Sequence, residues 1–274
     1  MKRLLMFLSV LTCLGAVGQE LRGVVTYQSR NALAKLDLED QKMEGVSDDM
    51  KKMIADEIRK ASEKTYTLNF DKNTSVYEEV KELDIQESPM AKGLRIMTGM
   101  TDGGKCYKNL TAGEFVQERD LFGKQFLVKD KIIKFEWELT SETKLIGEYV
   151  CYKATAPNNF DGNVFLDMVE EEKKKQDNTG FLSRMEKDTP KVITAWYTPQ
   201  IPVSNGPSYF GGLPGLILEI NDGESVILCS QLVINPKNPK EIKAPKKGKE
   251  VTLEEYNKEF KQTMEELQKM MPSK

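Results

Sequence analysis

The sequence predicts a mainly β protein of the α+β kind, with one large curved antiparallel sheet or half-barrel and helices packed against it. Three observations predict this class. Short apolar runs rich in Val, Ile and aromatic residues recur along the chain. Turn signals such as Asp102-Gly103-Gly104 and Ala112-Gly113 separate these runs at close intervals. The runs do not alternate regularly with long helices, so the pattern favours a sheet over repeated βαβ units.

The predicted strands extend over most of the chain. They are expected at residues 20–28, 66–71, 75–80, 97–101, 105–110, 114–119, 125–128, 133–139, 145–156, 191–199, 216–220 and 225–234. A basic, proline-containing linker at 237–249 follows the last of them. No internal repeat is visible. We therefore expect a single β-rich domain at residues 19–274.

Two amphipathic helices are predicted beside the sheet, an inserted one near the N-terminus and one at the C-terminus. Ser47 stands in the N-cap position of the first, at residues 48–62. Thr252 and Glu255 form a capping box for the second, at residues 252–271, which carries one apolar stripe. We expect that stripe to cover the chain's own sheet; docking to a partner or a bilayer surface is the alternative. A charged helix is also predicted at residues 164–176.

The N-terminus has the pattern of a secretory signal peptide at residues 1–18. Lys2 and Arg3 precede an apolar run at residues 4–17, and small residues lead to cleavage near Gly18 and Gln19. Cys13 leaves a lipoprotein signal as the alternative, but it lies inside the apolar run. No later stretch is apolar enough to span a bilayer, so an integral membrane protein is not expected. The mature chain is predicted to be exported to the periplasm or the cell surface.

Composition excludes several function classes. The chain contains no histidine, which removes Ser-His-Asp and Cys-His hydrolases and almost every zinc enzyme. Its formal net charge of −3 disfavours nucleic acid as a partner. Two acidic loops, beginning at Asp71 and Asp161, lack the glycine that a calcium loop of the EF-hand type requires. We expect no catalytic residue, no metal and no cofactor.

The mature chain retains the cysteines Cys106, Cys151 and Cys229. In an oxidising compartment they allow at most one intramolecular disulfide, and the three possible pairings remain open. Without a Cys-x-x-Cys motif, a structural role is favoured over redox chemistry.

Four aromatic residues define the candidate ligand or partner site. Trp196, Tyr197, Tyr209 and Phe210 flank a loop that carries Pro199, Pro202 and Pro207. Aromatic side chains on a rigid loop either line a cleft or anchor the loop to the core, and the sequence leaves both interpretations open.

The segment Gly212, Leu213, Pro214, Gly215, Leu216 and Ile217 predicts a tight turn that leads into a buried strand. Pro214-Gly215 favours a type II turn, in which the glycine accepts a positive φ. These six residues are identical to the signature of the GLPGLI family of Gram-negative envelope proteins, which the chain resembles. The segments 146–154 and 195–202 and the early strand, helix and hairpin also resemble that family, whereas the charged excursion at 161–190 departs from it.

The resemblance implies a periplasmic or surface protein of the outer-membrane system, often associated with outer-membrane receptors, and no known activity. We expect a non-enzymatic protein that binds an apolar or amphiphilic, lipid-like ligand in a half-barrel cavity. The alternative is an accessory or assembly partner of an outer-membrane receptor or other envelope protein, which an exposed apolar patch in place of a closed pocket would indicate. A hydrolase that uses carboxylates alone is a third expectation and requires two facing acids in a cleft.

Overall fold

The computed structural model describes residues 21–31, 47–50, 52–53, 56, 62–80, 103–158, 192–223 and 225–270. Several sequence predictions lie outside these described residues: the signal peptide at 1–18, the strand at 97–101, and the excursion at 161–190 with its helix at 164–176.

The described residues form a mainly β structure with a long C-terminal helix. The elements are β1 Arg22–Asn31, β2 Glu63–Asp71, β3 Thr74–Glu79, β4 Gly103–Asn109, β5 Glu114–Leu121, β6 Lys124–Lys131, β7 Glu138–Ile146, β8 Tyr149–Pro157, β9 Val192–Thr198, β10 Leu216–Asn221, β11 Ser225–Ile234, β12 Lys249–Val251 and α1 Leu253–Met270. In the predicted helix at 48–62, the residues that the structure describes are helical. The predicted class is therefore confirmed at the level of a mainly β protein with helices.

The strands form one twelve-stranded sheet in the order β12-β6-β5-β4-β3-β2-β1-β11-β10-β9-β8-β7. Over the described residues this order is open, because β12 and β7 stand at opposite ends and do not pair. The sequence predicted an antiparallel sheet, and the observed sheet is mixed: at one end β12 pairs with β6 in parallel, with Lys249 opposite Phe126. Between β11 and β12 the chain returns to the end of the sheet at which β6 begins. β12 therefore runs beside β6 in the same direction.

Two further differences separate the predicted strands from the observed ones. Residues 133–137 are irregular, and β7 begins only at Glu138. The stretch predicted as one strand at 145–156 contains a two-residue turn, Gly147 and Glu148, so that β7 and β8 form a hairpin. A two-residue turn with glycine in first position is a favoured hairpin connection.

Two buried apolar clusters are found among the described residues, and the first lies under the centre of the sheet. It includes Tyr27 of β1, Leu68 of β2 and Ile220 of β10. The loop between β9 and β10 covers it, since Ile201, Val203, Phe210 and Leu213 belong to the same cluster. This loop carries the predicted motif, so the motif lies over the middle of the sheet.

The second cluster lies between α1 and strands β5 and β6. Tyr256 and Phe260 of the helix are buried against Phe115 and Phe126, and the rings of Phe126 and Tyr256 meet edge to face with centroids 5.5 Å apart. The predicted capping box is present: the Glu255 amide donates to Thr252 Oγ1 (3.2 Å), and the Thr252 amide donates to Glu255 Oε2 (2.8 Å). The apolar stripe of α1 is thus used against the chain's own sheet. Within the described residues, no helix combines the length and the apolar character that a membrane crossing requires.

Candidate functional site

The predicted motif forms a tight turn, but its glycines play different roles from those expected. The Gly215 amide donates to the Leu213 carbonyl (2.8 Å), which closes a three-residue turn around Pro214. The positive φ lies at Gly212 (φ 89°) rather than at Gly215. The predicted type II turn with a left-handed Gly215 was therefore wrong.

Gly215 is required for a different reason, which is its close approach to the preceding strand. A Cβ built on Gly215 would lie 2.3 Å from the carbonyl oxygen of Thr198 and 2.9 Å from the nitrogen of Pro199. Both are backbone atoms, which cannot rotate away as a side chain can. The glycine thus lets the motif pass directly over the end of β9.

The proline loop is held beside the motif by backbone hydrogen bonds. The amide of Leu216 donates to the Ile201 carbonyl (3.0 Å), and that of Ile217 donates to the Asn205 carbonyl (2.9 Å). The Tyr27 hydroxyl, fully buried on β1, donates to the Ile217 carbonyl (2.6 Å). These bonds connect the loop, the motif and the centre of the sheet.

Lys108 of β4 provides a further anchor, which sequence reasoning missed. Its side chain is 2 % exposed, and its ammonium donates to the carbonyls of Gly206 (2.8 Å) and Phe210 (2.7 Å). Burial lowers the pKa of Lys108 from 10.5 to about 8, with the Cys106 thiol acting in the opposite direction. The available signal was alternation: Cys106 and Lys108 are two apart in a strand and therefore share a face, which Cys106 marks as buried.

The four predicted aromatic residues do not form one site. Phe210 is buried and Tyr209 half-buried, and both stack on Phe135, with centroids 5.4 Å and 6.4 Å away. Tyr197 is buried under the sheet. The side chain of Trp196 lies on the opposite face of β9 from Tyr197, because neighbouring side chains of a strand alternate between faces. On that face the Lys144 ammonium lies 4.3 Å from the centroid of the Trp196 ring.

The Tyr209–Phe210 pair acts as an anchor of the loop. Trp137 lies beside Phe135, with ring centroids 5.3 Å apart, and its indole N–H donates to the Gly211 carbonyl (2.9 Å). The loop residues therefore fill space against the core and do not line an open cleft with Trp196.

The three predicted cysteines, Cys106, Cys151 and Cys229, are free thiols. Burial raises the pKa of Cys106, and it raises the pKa of both Cys151 and Cys229 to about 11. A raised pKa keeps a thiol protonated at neutral pH, where it is a poor nucleophile. The structure thus gives these side chains a packing role.

A concavity of about 330 Å³ lies between β12 and α1. Its lining is mostly charged and includes Lys249, Glu250, Glu255, Lys258 and Glu259. Among the described residues, no group of three or more Cys, Asp or Glu side chains is arranged to hold a metal ion. This concavity has the lining of a solvated surface, and it does not offer apolar walls to a lipid-like ligand.

An exposed apolar surface lies at the opposite end of the sheet, on β7 and β8. We call it the apolar margin, and it consists of Leu139 (58 % exposed), Leu145 (68 %), Val150 (41 %) and Tyr152 (38 %). Leu145 lies opposite Val150, and Leu139 lies opposite Ala154, so all four side chains share one face of the hairpin. The buried Ala154, Ala156 and Tyr197 continue that face inward. The margin is thus the part of the core face that extends beyond its cover.

Comparison with known proteins adds a family model but no activity. Residues 137–219 match the model of a family described as a protein of unknown function (Porph_ging). The matched segment includes the motif at 212–217 and the whole apolar margin, and it is consistent with a GLPGLI-type family. No curated protein matches the chain.

Two solved structures are similar to the chain at low sequence identity. They are described as the structure of PNGF-II in the C2 and P21 space groups, each 16% identical, with TM-scores of 0.47 and 0.45. The similarity covers 89% of this chain and 33% and 34% of the respective PNGF-II chains. The chain therefore spans about a third of the length of that protein.

Proposed function

We propose that the chain is an exported, non-enzymatic protein of the cell envelope that binds a protein partner through the apolar margin. The observation that carries this proposal is the exposure of four large apolar side chains on one face of the terminal hairpin. Soluble proteins rarely leave contiguous apolar patches open to water unless the patch is used in an interaction. This exposed surface is the feature that supports an accessory or assembly function.

The reverse face of the same hairpin is polar, in contrast to the margin. Lys153 pairs with Glu142 at 2.9 Å, and Lys144 pairs with Glu219 at 2.6 Å, both on the face opposite Leu145. The hairpin therefore leaves its apolar side chains exposed on one face only. The predicted signal peptide and the resemblance to an envelope family support an extracytoplasmic partner, such as an outer-membrane receptor.

Ligand binding in a half-barrel cavity is the function that the sequence analysis placed first, and it requires an apolar enclosure. The concavity beside α1 is charged, and the loop between β9 and β10 fills the centre of the sheet with its own Phe210 and Leu213. These observations favour the partner-binding function. Native mass spectrometry of residues 19–274 separates the two: a discrete added mass that is lost on denaturation supports the ligand function instead.

The partner function is tested with two matched variants. Val150 of the margin and Val233 of β11 are both strand valines with nearly equal exposure, 41 % and 40 %. Photo-crosslinking from position 145 in cells that make the protein should give a discrete product, whose partner is then identified and purified. Val150→Ser should weaken that complex by about tenfold or more, equivalent to roughly 1.4 kcal/mol, whereas Val233→Ser should leave it unchanged. Equal effects of the two substitutions would refute the assignment of the margin.

A further inference from the structure

The outer edge of β7 is a second unusual feature of the same hairpin. β7 stands last in the strand order, and over the described residues only β8 pairs with it. An unpaired strand edge presents a row of N–H and C=O groups that another extended chain can pair with.

The hairpin turn fixes which backbone groups point outward. Because Gly147 and Glu148 alone connect the strands, Ile146 and Tyr149 form the closing hydrogen-bonded pair. Pairs alternate along an antiparallel ladder, so Leu145 and Thr143 direct their N–H and C=O groups away from β8. These four backbone groups form the docking edge.

The usual protections of a sheet edge are absent from this part of β7. Its bulge falls between Leu139 and Thr143, which leaves residues 143–146 in regular register with 149–152. A lysine often guards an exposed edge, but the Lys144 ammonium turns inward to Glu219 (2.6 Å) and over the Trp196 ring (4.3 Å). The regular segment is therefore open to an added strand.

The charges along β7 select the kind of strand that fits. Glu138 and Glu142 lie on the face opposite Leu139 and Leu145, since the side chains of a strand alternate. A second copy of the chain fits poorly in the two-fold antiparallel registers nearest the centre of this edge. Pairing about Glu142 sets that carboxylate opposite itself, and like charges directly opposite destabilise a sheet. Pairing about Thr143 sets Glu142 opposite Lys144, but that ammonium is already held by Glu219 (2.6 Å). Glu142 pairs with Lys153 (2.9 Å) and remains 60 % exposed, and Glu138 is exposed, so the edge favours a basic partner.

We propose that β7 accepts an extended segment of the partner protein as an additional strand, in which apolar residues alternate with basic ones. The apolar residues of that segment lie beside Leu145 and extend the apolar margin, while its basic residues meet Glu138 and Glu142 on the other face. The backbone bonds supply affinity and the alternating side chains supply selectivity, as in other cases of strand addition. This inference rests on the proposed function and specifies its mode of binding.

Synthetic peptides test the inference without knowledge of the partner. The binding of three nine-residue peptides to the full chain is compared by fluorescence anisotropy. In the first peptide Val and Lys alternate, and in the second Val and Glu alternate. The third has the composition of the first, but all its Val residues precede all its Lys residues. The alternating Val-Lys peptide should bind at least about tenfold more tightly than either of the others. On binding, the amides of Thr143 and Leu145 should become protected from hydrogen exchange. Equal binding of the Val-Glu peptide, or unchanged exchange at both amides, would overturn the inference.

Two variants at one position probe the docking edge itself. Thr143→Pro removes an outward N–H without touching the β8 ladder, and Thr143→Val keeps that N–H. The proline variant should weaken binding of the Val-Lys peptide by at least about tenfold, and the valine variant should bind as the wild type does. If Thr143→Pro impairs folding, as its circular dichroism would reveal, the exchange measurement on the wild type decides alone.

The same variants separate this inference from the proposed function. A partner complex that is lost in Val150→Ser but persists in Thr143→Pro would show that the margin works without strand addition. That result overturns the inference and leaves the proposed function standing. A complex insensitive to Val150→Ser overturns the proposed function.

Discussion

Replacing Gly215 by alanine should destabilise the protein far more than its small size suggests. The new Cβ would lie 2.3 Å from the Thr198 oxygen, where ordinary contact needs at least 3.4 Å, so the two backbones must separate by about 1.1 Å. The segment that must move is held by the Leu216–Ile201 hydrogen bond (3.0 Å) and by buried apolar side chains, so it cannot relax freely. Overpacking of a rigid core costs about 1–3 kcal/mol and occasionally more. Because both clashing groups are backbone, we expect a loss of at least about 3 kcal/mol.

Urea unfolding followed by tryptophan fluorescence measures this loss, and Gly113 provides the matched control. Gly113 has a positive φ (70°) but open space around its Cβ position, so Gly113→Ala reports the conformational cost alone. That cost should be about 1–2 kcal/mol. In thermal unfolding, Gly215→Ala should lower Tm by roughly 6–12 °C, from about 2–4 °C per kcal/mol in a chain of this size. If Gly215→Ala costs no more than Gly113→Ala, the close-approach argument is refuted.

Three further predictions concern buried groups. Tyr27→Phe leaves the Ile217 carbonyl without its donor, and it should cost about 1–3 kcal/mol in urea unfolding, whereas Tyr152→Phe on the exposed margin should cost almost nothing. Phe260→Ala removes a buried ring beneath α1 and should cost about 3–5 kcal/mol; a loss below about 1 kcal/mol would show that the helix is not held by this contact. For Lys108, the folded pKa of about 8 lies below the usual 10.5, so between these values the unfolded chain binds more protons and stability rises with pH, by about 3 kcal/mol in total. A neutral amine still has two N–H donors for the Gly206 and Phe210 carbonyls. The buried thiols, whose pKa values are raised, lower the stability of both proteins above about pH 9, so the Lys108 effect is read as a difference. The stability of the wild type relative to Lys108→Met should therefore increase between about pH 8 and 10.5, and parallel pH profiles of the two proteins would contradict it.

The strands were predictable where local pattern decides the structure. β5 and β10 have the apolar periodicity and flanking turn residues of strands, and both agree with the prediction within a few residues. β12 has only three residues, too few for any period to appear; its first residue was assigned to the linker at 237–249 and the other two to no element. The turn at Gly147 was missed because apolar residues continue on both sides of it.

The candidate site was less predictable because its residues act through distant neighbours. The need for glycine at position 215 comes from Thr198, and the burial of Lys108 comes from carbonyls at Gly206 and Phe210, about a hundred residues away. The exposure of Val150 depends on where the covering loop ends. None of these long-range relationships can be read from a local sequence pattern, whereas the motif could be located from its six residues alone.

The position of β1 sets the order in which the molecule can assemble. Although it is the first of the described strands, it lies between β2 and β11, with Gly23 opposite Ile234. A chain delivered N-terminus first, from a ribosome or a translocation pore, therefore cannot join the two parts of its sheet until β11 begins to emerge at Ser225, and it completes the join only at Ile234. Until then, one edge of β1 stays unpaired, and contacts so distant in sequence form slowly. The pairing of β11 with β1 therefore ends the period in which the incomplete sheet exposes an unpaired strand edge. A chaperone that binds incompletely folded chains would act before that pairing.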